Sequence, residues 1–370
     1  MHSSSTSGSR RCLYSRFTSN LPKFLVIASL AAIPFHGSNA NRIQSAIAPT
    51  SPNKLTVVTV ASPSTVLNQD DFRYGFGYDL VYKYAQSTDL QLDLHVVADN
   101  DTALQWVKQG KANLAMTTQP IDEIKSKRLR AISVSCDHYS ILSQRGLDHN
   151  LNWVAAKSSP QIDRAQNYLC DNQQSGNLQQ LASFYDRNVV SEDEWLLLNK
   201  MLHKRMPIYR ASLERTAENY ALDWHLLTAI ALQESQLNPQ SVSPTGVRGV
   251  MMLTHATAKA MGVHNRLDPE QSIRGGAKYY DLMLQKYQDI ALPDRYWFAL
   301  VAYNMGPGAV DKIQQQLQQQ GKDPQQWTML YDYLNRHQAQ HGRYKQAIQY
   351  VTRIRSYLER IKTNSDFVEV

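Results

Sequence analysis

The chain has 370 residues, 42% of them hydrophobic and 19% charged, a globular composition long enough for two domains with ordinary cores. Its net charge of +7 includes four basic residues in the first 40 positions, Arg10, Arg11, Arg16 and Lys23, where no acidic residue falls, so the remainder carries a net +3. That mild balance tolerates an acidic polymer and gives no support to a nucleic-acid partner.

Residues 1–40 read as an export signal. Basic residues precede the apolar run from Phe24 to Ile33, and the small residues Ser38 and Ala40 follow it. The run is too short to span a bilayer as a helix. Cleavage after Ala40 is expected, with retention as an N-terminal anchor as the alternative. The long stretch before Phe24 also allows a start downstream of Met1. Arg10 and Arg11 are similar to a twin-arginine pair but lie far from the apolar run. Cys12 precedes that run, so no lipoprotein-type cysteine closes it. Residues 41–54, rich in Pro, Ser and Asn, read as a tether.

Residues 55–187 read as one α/β lobe. Strands are expected over 55–60, 90–97 and 112–116, and helices over 80–86 and 101–109. This βαβαβ rhythm predicts a parallel sheet with helices on its faces. It is similar to the first lobe of the type 3 periplasmic solute-binding proteins. A second lobe would add roughly a hundred residues. Here Asn152 and Trp153 lead instead into helices over 162–169 and 178–185, so the second lobe is missing. Such proteins trap a ligand by closing two lobes around it, and one lobe leaves half a site. The expected role is docking or positioning; a weak regulatory ligand at the C-terminal edge of the sheet is the competing reading. After processing, Cys136 and Cys170 remain. They could pair in an oxidising compartment or stay as two buried thiols. With no Cys-x-x-Cys and eleven scattered His, no metal and no other cofactor is expected.

After a linker at 188–206, a mostly α domain is expected over 207–362, followed by a tail at 363–370. Helices are predicted over 208–220, 223–233, 256–261, 269–287, 295–303, 309–320 and 344–361. Asp223 and Asp268 supply N-caps, the latter with Pro269 at the first helical position. The glutamine run at 314–320 carries Ile313 and Leu317 at i, i+4 and reads as a solvated helix face.

Glu234 stands out. It follows Leu227, Ile230 and Ala231 on one helical stripe, where a carboxyl is desolvated and its pKa rises, as a general acid near neutral pH requires. The bland alternative is an exposed glutamate at a fraying helix end. Its neighbours decide: Ser235; then Ser243-Pro-Thr-Gly246-Val-Arg-Gly249-Val-Met251-Met252-Leu253; then Tyr303-Asn304-Met-Gly306; then Tyr350-Val351. In this order the segments resemble the SLT-type lytic transglycosylases of the lysozyme-like superfamily. The stretch from Ser243 to Thr254 resembles most the F branch of the membrane-bound lytic murein transglycosylases, which carries a solute-binding-protein-like domain ahead of the catalytic one.

That resemblance implies an enzyme that cleaves the MurNAc–GlcNAc bond of peptidoglycan and leaves 1,6-anhydromuramoyl ends. It would work during cell-wall turnover in the periplasm of a Gram-negative bacterium, peripheral to the outer membrane, with cell-wall synthesis or outer-membrane partners. Glu234 would act alone as acid and base, assisted by the substrate's acetamido group. No Asp or Glu lies between Glu234 and Asp268, whereas most glycosidases place two carboxyls across the bond. By the same resemblance Ser235 belongs to the binding set, and Ser243 contacts the acid and the acetamido region. Gly249, with Gly246, makes a tight turn beside the sugar, and Met251 and Met252 floor the cleft. Tyr303 orients the acid, Asn304 offers an amide to an N-acetyl group, and Tyr350 lines the cleft. Two positions depart from common family usage, Met252 where many relatives have Gln and Gln346 where many have Glu; Gln346 can bind but cannot serve as a second acid. The rival readings are a goose-type lysozyme-like hydrolase, with Asp268 or Asp281 as its base, and a non-catalytic peptidoglycan-binding scaffold.

Overall fold

The computed structural model describes residues 53–69 and 72–364. The expected export signal, most of the tether and most of the tail lie outside them. Strand β1 (Lys54–Val60) is β-branched and buried on both faces, as an interior strand must be. A short antiparallel hairpin, β2 (Leu67–Gln69) and β3 (Phe72–Tyr74), leads into helix α1 (Phe76–Ser87). Then follow β4 (Gln91–Val97), α2 (Asn100–Lys108) and β5 (Leu114–Thr117). β4 and β5 flank β1 in parallel, so the βαβαβ expectation describes this half of the sheet.

The other half departs from it. After α3 (Ile121–Ser126) come β6 (Leu129–Ser133), α4 (Ser140–Ser143) and β7 (Asn152–Ala156), giving the order β4-β1-β5-β7-β6. β7 runs antiparallel to both β5 and β6, so the sheet is mixed, and residues 152–155 are strand rather than the approach to a helix. Trp153, Val154 and Ala155 are all buried. So short an apolar run carries no period that separates a strand from a buried helix. In the return between β6 and β7, Cys136 and Asp137 adopt left-handed backbone, and Cys136 is disulfide-bonded to Cys170 in α5 (Gln161–Gln174), Cα–Cα 5.1 Å.

Helix α6 (Asn177–Phe184) and a 28-residue helix α7 (Glu192–Asn219) lead into the helical domain. The expected linker at 188–206 is therefore largely the first half of α7, which runs on through Pro207. Proline suggests a boundary because it lacks an N–H, yet Leu198, Leu202, Met206, Tyr209 and Leu213 keep one buried stripe across it. The remaining helices are α8 (Trp224–Ser235), α9 (His255–Met261), α10 (Pro269–Lys286), α11 (Asp294–Met305), α12 (Pro307–Gln319), α13 (Trp327–His337) and α14 (Gly342–Thr363). α13 was not expected, although Trp327, Leu330, Tyr331 and Leu334 are buried at helical spacing.

One apolar core joins the α/β and helical parts. Phe184, at the end of α6, sits 5.1 Å from Trp297 and 5.0 Å from Trp327 between ring centroids, and Tyr74 meets Trp297 at 5.9 Å. Such edge-to-face pairs add about 1 kcal/mol each beyond the area they bury. Tyr185 donates to Asp79 Oδ2 at 2.8 Å and accepts from the Gly75 N–H at 3.2 Å.

Candidate active site

Helix α8 is the scaffold of the site. Asp223 caps its start, accepting from the His225 N–H at 2.8 Å, and pairs with Lys362 of α14 at 2.5 Å. Leu226, Leu227, Ala229, Ile230, Ala231 and Leu232 are all buried, so α8 is enclosed on every side rather than on the single stripe read from sequence. Gln236 and Leu237 then take left-handed backbone and end it, which leaves Gln233, Glu234 and Ser235 in the last turn.

Glu234 keeps a partly open surface while its carboxyl is closely surrounded. Desolvation raises its pKa to about 7, against a hydrogen bond from the Tyr350 hydroxyl to Oε1 at 2.7 Å that favours the charged form. A helix C-terminus, where the macrodipole is negative, also suits a protonated carboxyl. Among the described residues no second carboxylate contributes to the shift. Asp268 is committed to capping α10 through the Gln271 N–H at 2.8 Å, and Asp281 accepts from Gln285 Nε2 at 2.7 Å.

Tyr350, not Tyr303, therefore holds the acid. Tyr303 donates its hydroxyl to the Met251 carbonyl at 3.2 Å and lies against Tyr350, ring centroids 6.4 Å apart and 11° from parallel. Burial and the nearby Glu234 keep both phenols well above their ordinary pKa, so both remain donors.

The loop after α8 is fastened from beneath. Ser235 is buried, donating to the Val250 carbonyl at 2.7 Å and accepting from the Asn238 N–H at 3.1 Å. Its hydroxyl is thus engaged with protein rather than presented to a substrate, contrary to the sequence expectation. Gly246 and Gly249 have φ of +81° and +86°. At Gly249 a Cβ would stand 1.8 Å from the Arg266 carbonyl oxygen, so only glycine fits. Met251 is fully buried over Gly276, while Met252 is half-buried in left-handed backbone with φ of +44°. The Ser243 hydroxyl meets Thr245 Oγ1 at 2.9 Å and accepts from the Val247 N–H at 3.2 Å; it shapes its own loop and makes no hydrogen bond with Glu234.

Asn304, Gln346 and Tyr350 come together on a polar cavity of about 590 Å³ with Gln233 and Arg353. Arg353 had no role assigned from sequence. It lies one helical turn after Tyr350 on α14, donating to Gln233 Oε1 and to Glu194 Oε2, each at 3.1 Å. Its spacing from Tyr350 was the available signal.

Residues 212–326 match the model of the transglycosylase SLT domain family. This region is an SLT domain. The chain is also similar to proteins named membrane-bound lytic murein transglycosylase F. The F 1 protein of Alkalilimnicola ehrlichii is 50% identical over 137 residues, 37% of this chain and 28% of that protein. The protein of Stutzerimonas stutzeri is 41% identical over 196 residues, 52% of this chain and 40% of its own. The protein of Photobacterium profundum is 34% identical over 277 residues, 71% of this chain and 52% of its own. The chain thus spans about half the length, or less, of these relatives. The SLT domain holds Glu234, the loop through Met252 and Tyr303, whereas Gln346, Tyr350 and Arg353 on α14 lie beyond the matched residues.

Proposed function

We propose that the chain is a peptidoglycan lytic transglycosylase in which Glu234 serves as both general acid and general base. The carrying observation is a single enclosed carboxyl, poised near pH 7 and held by the Tyr350 hydroxyl. Protonated Glu234 gives its proton to the glycosidic oxygen as the bond to the anomeric carbon of N-acetylmuramic acid breaks. The substrate's acetamido group stabilises the positive charge that develops. Glu234, now charged, takes the proton of the muramoyl 6-hydroxyl as that oxygen bonds to the anomeric carbon. A 1,6-anhydro ring forms, the alcohol leaves, and no water is consumed. A pKa near the working pH lets one group perform both transfers. The amides of Asn304 and Gln346 offer donors and acceptors to N-acetyl and hydroxyl groups.

The names of the relatives support this substrate class and an association with a membrane. Among the described residues no helix is long and apolar enough to cross one. We place the protein in the Gram-negative periplasm, where it would serve wall turnover. Digestion of purified sacculi by the wild type and by Glu234→Gln, with mass spectrometry of the fragments, tests the reading. Anhydro ends, one water lighter than hydrolysed ends, should form with the wild type alone. Reducing ends would make it a hydrolase, and equal behaviour of the two proteins would make it a scaffold.

A further inference from the structure

The cavity beside Tyr350 is composite. One wall belongs to the helical domain through Asn304, Gln346 and Arg353; the other is built by the α/β part through Arg145, Ser183 and Asp186. Arg145 follows α4 and is fixed at both ends. Its carbonyl accepts from the Arg187 N–H at 2.9 Å, and its Nη1 donates to Asp186 Oδ2 at 2.8 Å. Asp186 is anchored in turn: its Oδ1 accepts from the Asn188 N–H at 2.9 Å, and its carbonyl from the buried Arg355 at 2.5 Å. The Arg145 side chain is nevertheless 43% exposed, against 15% for Asp186. A guanidinium has five N–H donors, and this pairing engages one of them. Two guanidiniums line the cavity, each already ion-paired, Arg145 with Asp186 and Arg353 with Glu194, and the other polar residues are amides and hydroxyls.

A bare glycan presents hydroxyl and acetamide groups, which amides satisfy. The exposed Arg145 guanidinium, with only its Nη1 engaged, suits a carboxylate, whose planar pair of oxygens the guanidinium fork matches. Resting on the peptidoglycan reading above, we propose that this cavity takes the carboxylate-bearing peptide branch of the substrate strand, with Arg145 as the specificity-determining contact. The α/β part is then a wall of the substrate cleft. Arg353 is already committed to Glu194, Gln233 and Tyr357, which leaves Arg145 as the more available fork.

Binding is measured in the Glu234→Gln background, so that no strand is cut, using glycan strands with their peptides and strands stripped of them. Peptide-bearing strands should bind more tightly, and Arg145→Gln should reduce that preference about ten-fold, the scale of one charge-assisted hydrogen bond. Arg145→Lys should restore part of it. An unchanged preference, or an equal loss on both strands, overturns the proposal. Should Arg145→Gln not fold, the salt dependence of the otherwise unaltered protein decides: a steeper loss for peptide-bearing strands supports the contact, and equal slopes reject it. Because these readouts involve no bond cleavage, a failure of the Arg145 contact is distinguishable from a failure to form anhydro ends.

Discussion

The Tyr350 hydroxyl donates to Glu234 Oε1 at 2.7 Å, joining the middle of α14 to the last turn of α8 across 116 positions of sequence. This contact opposes desolvation: it favours the carboxylate, while burial favours the neutral acid, and burial prevails, leaving a pKa of about 7.

Tyr350→Phe removes the donor and keeps the ring. Without the hydrogen bond the charged form loses support, so the Glu234 pKa should rise further and the alkaline limb of kcat/KM should move above pH 7. Activity on sacculi should fall about ten- to a hundred-fold, since the carboxyl loses its orienting partner. A pH–rate profile that keeps its limb in place would show that Tyr350 does not set the titration.

Glu234→Gln should stabilise the fold at neutral to alkaline pH while abolishing cleavage. The folded pKa lies above the ordinary glutamate value of 4.5, so between about 4.5 and 7 the folded state holds more protons than the unfolded one, and stability falls as pH rises. Glutamine escapes that loss. The variant should match the wild type near pH 4.5 and exceed it at pH 8 by on the order of 2 kcal/mol, measured by denaturant titration at both values.

Gly249→Ala places a methyl group against the Arg266 carbonyl in backbone of φ +86°. The loop must shift, at a cost of about 2–4 kcal/mol, visible as a fall of several degrees in Tm. Gly246, with open space around its Cβ position, should tolerate alanine better, losing about 1 kcal/mol to its φ alone.

Ser235→Ala separates two roles for that hydroxyl. As the buried latch to Val250, its loss should cost about 1–2 kcal/mol of stability and slow turnover through a displaced loop. A direct sugar contact would instead weaken substrate binding and leave Tm unchanged. Calorimetry beside kinetics distinguishes the two.

Legibility varied along the chain for identifiable reasons. β4 was readable because its apolar residues alternate along the strand, and α8 and α10 because Asp223 and Asp268 mark their starts. The continuity of α7 is not legible because Pro207 carries a stronger local signal than the buried stripe that continues past it. β7 was hidden because a five-residue strand buried on both faces has no alternation to detect.

At the site, residue types and order alone determined that Glu234 is the lone carboxyl of its segment, and the resemblance implied a tight turn at Gly246 and Gly249, whose positive φ the structure supplies. Only the tertiary structure decided the assignments among hydroxyls. Tyr350 rather than Tyr303 or Ser243 holds the acid, Ser235 faces inward to Val250, and the α/β part furnishes Arg145 to the cavity. A side chain's partner is set by where distant helices cross, and local sequence carries no record of that crossing.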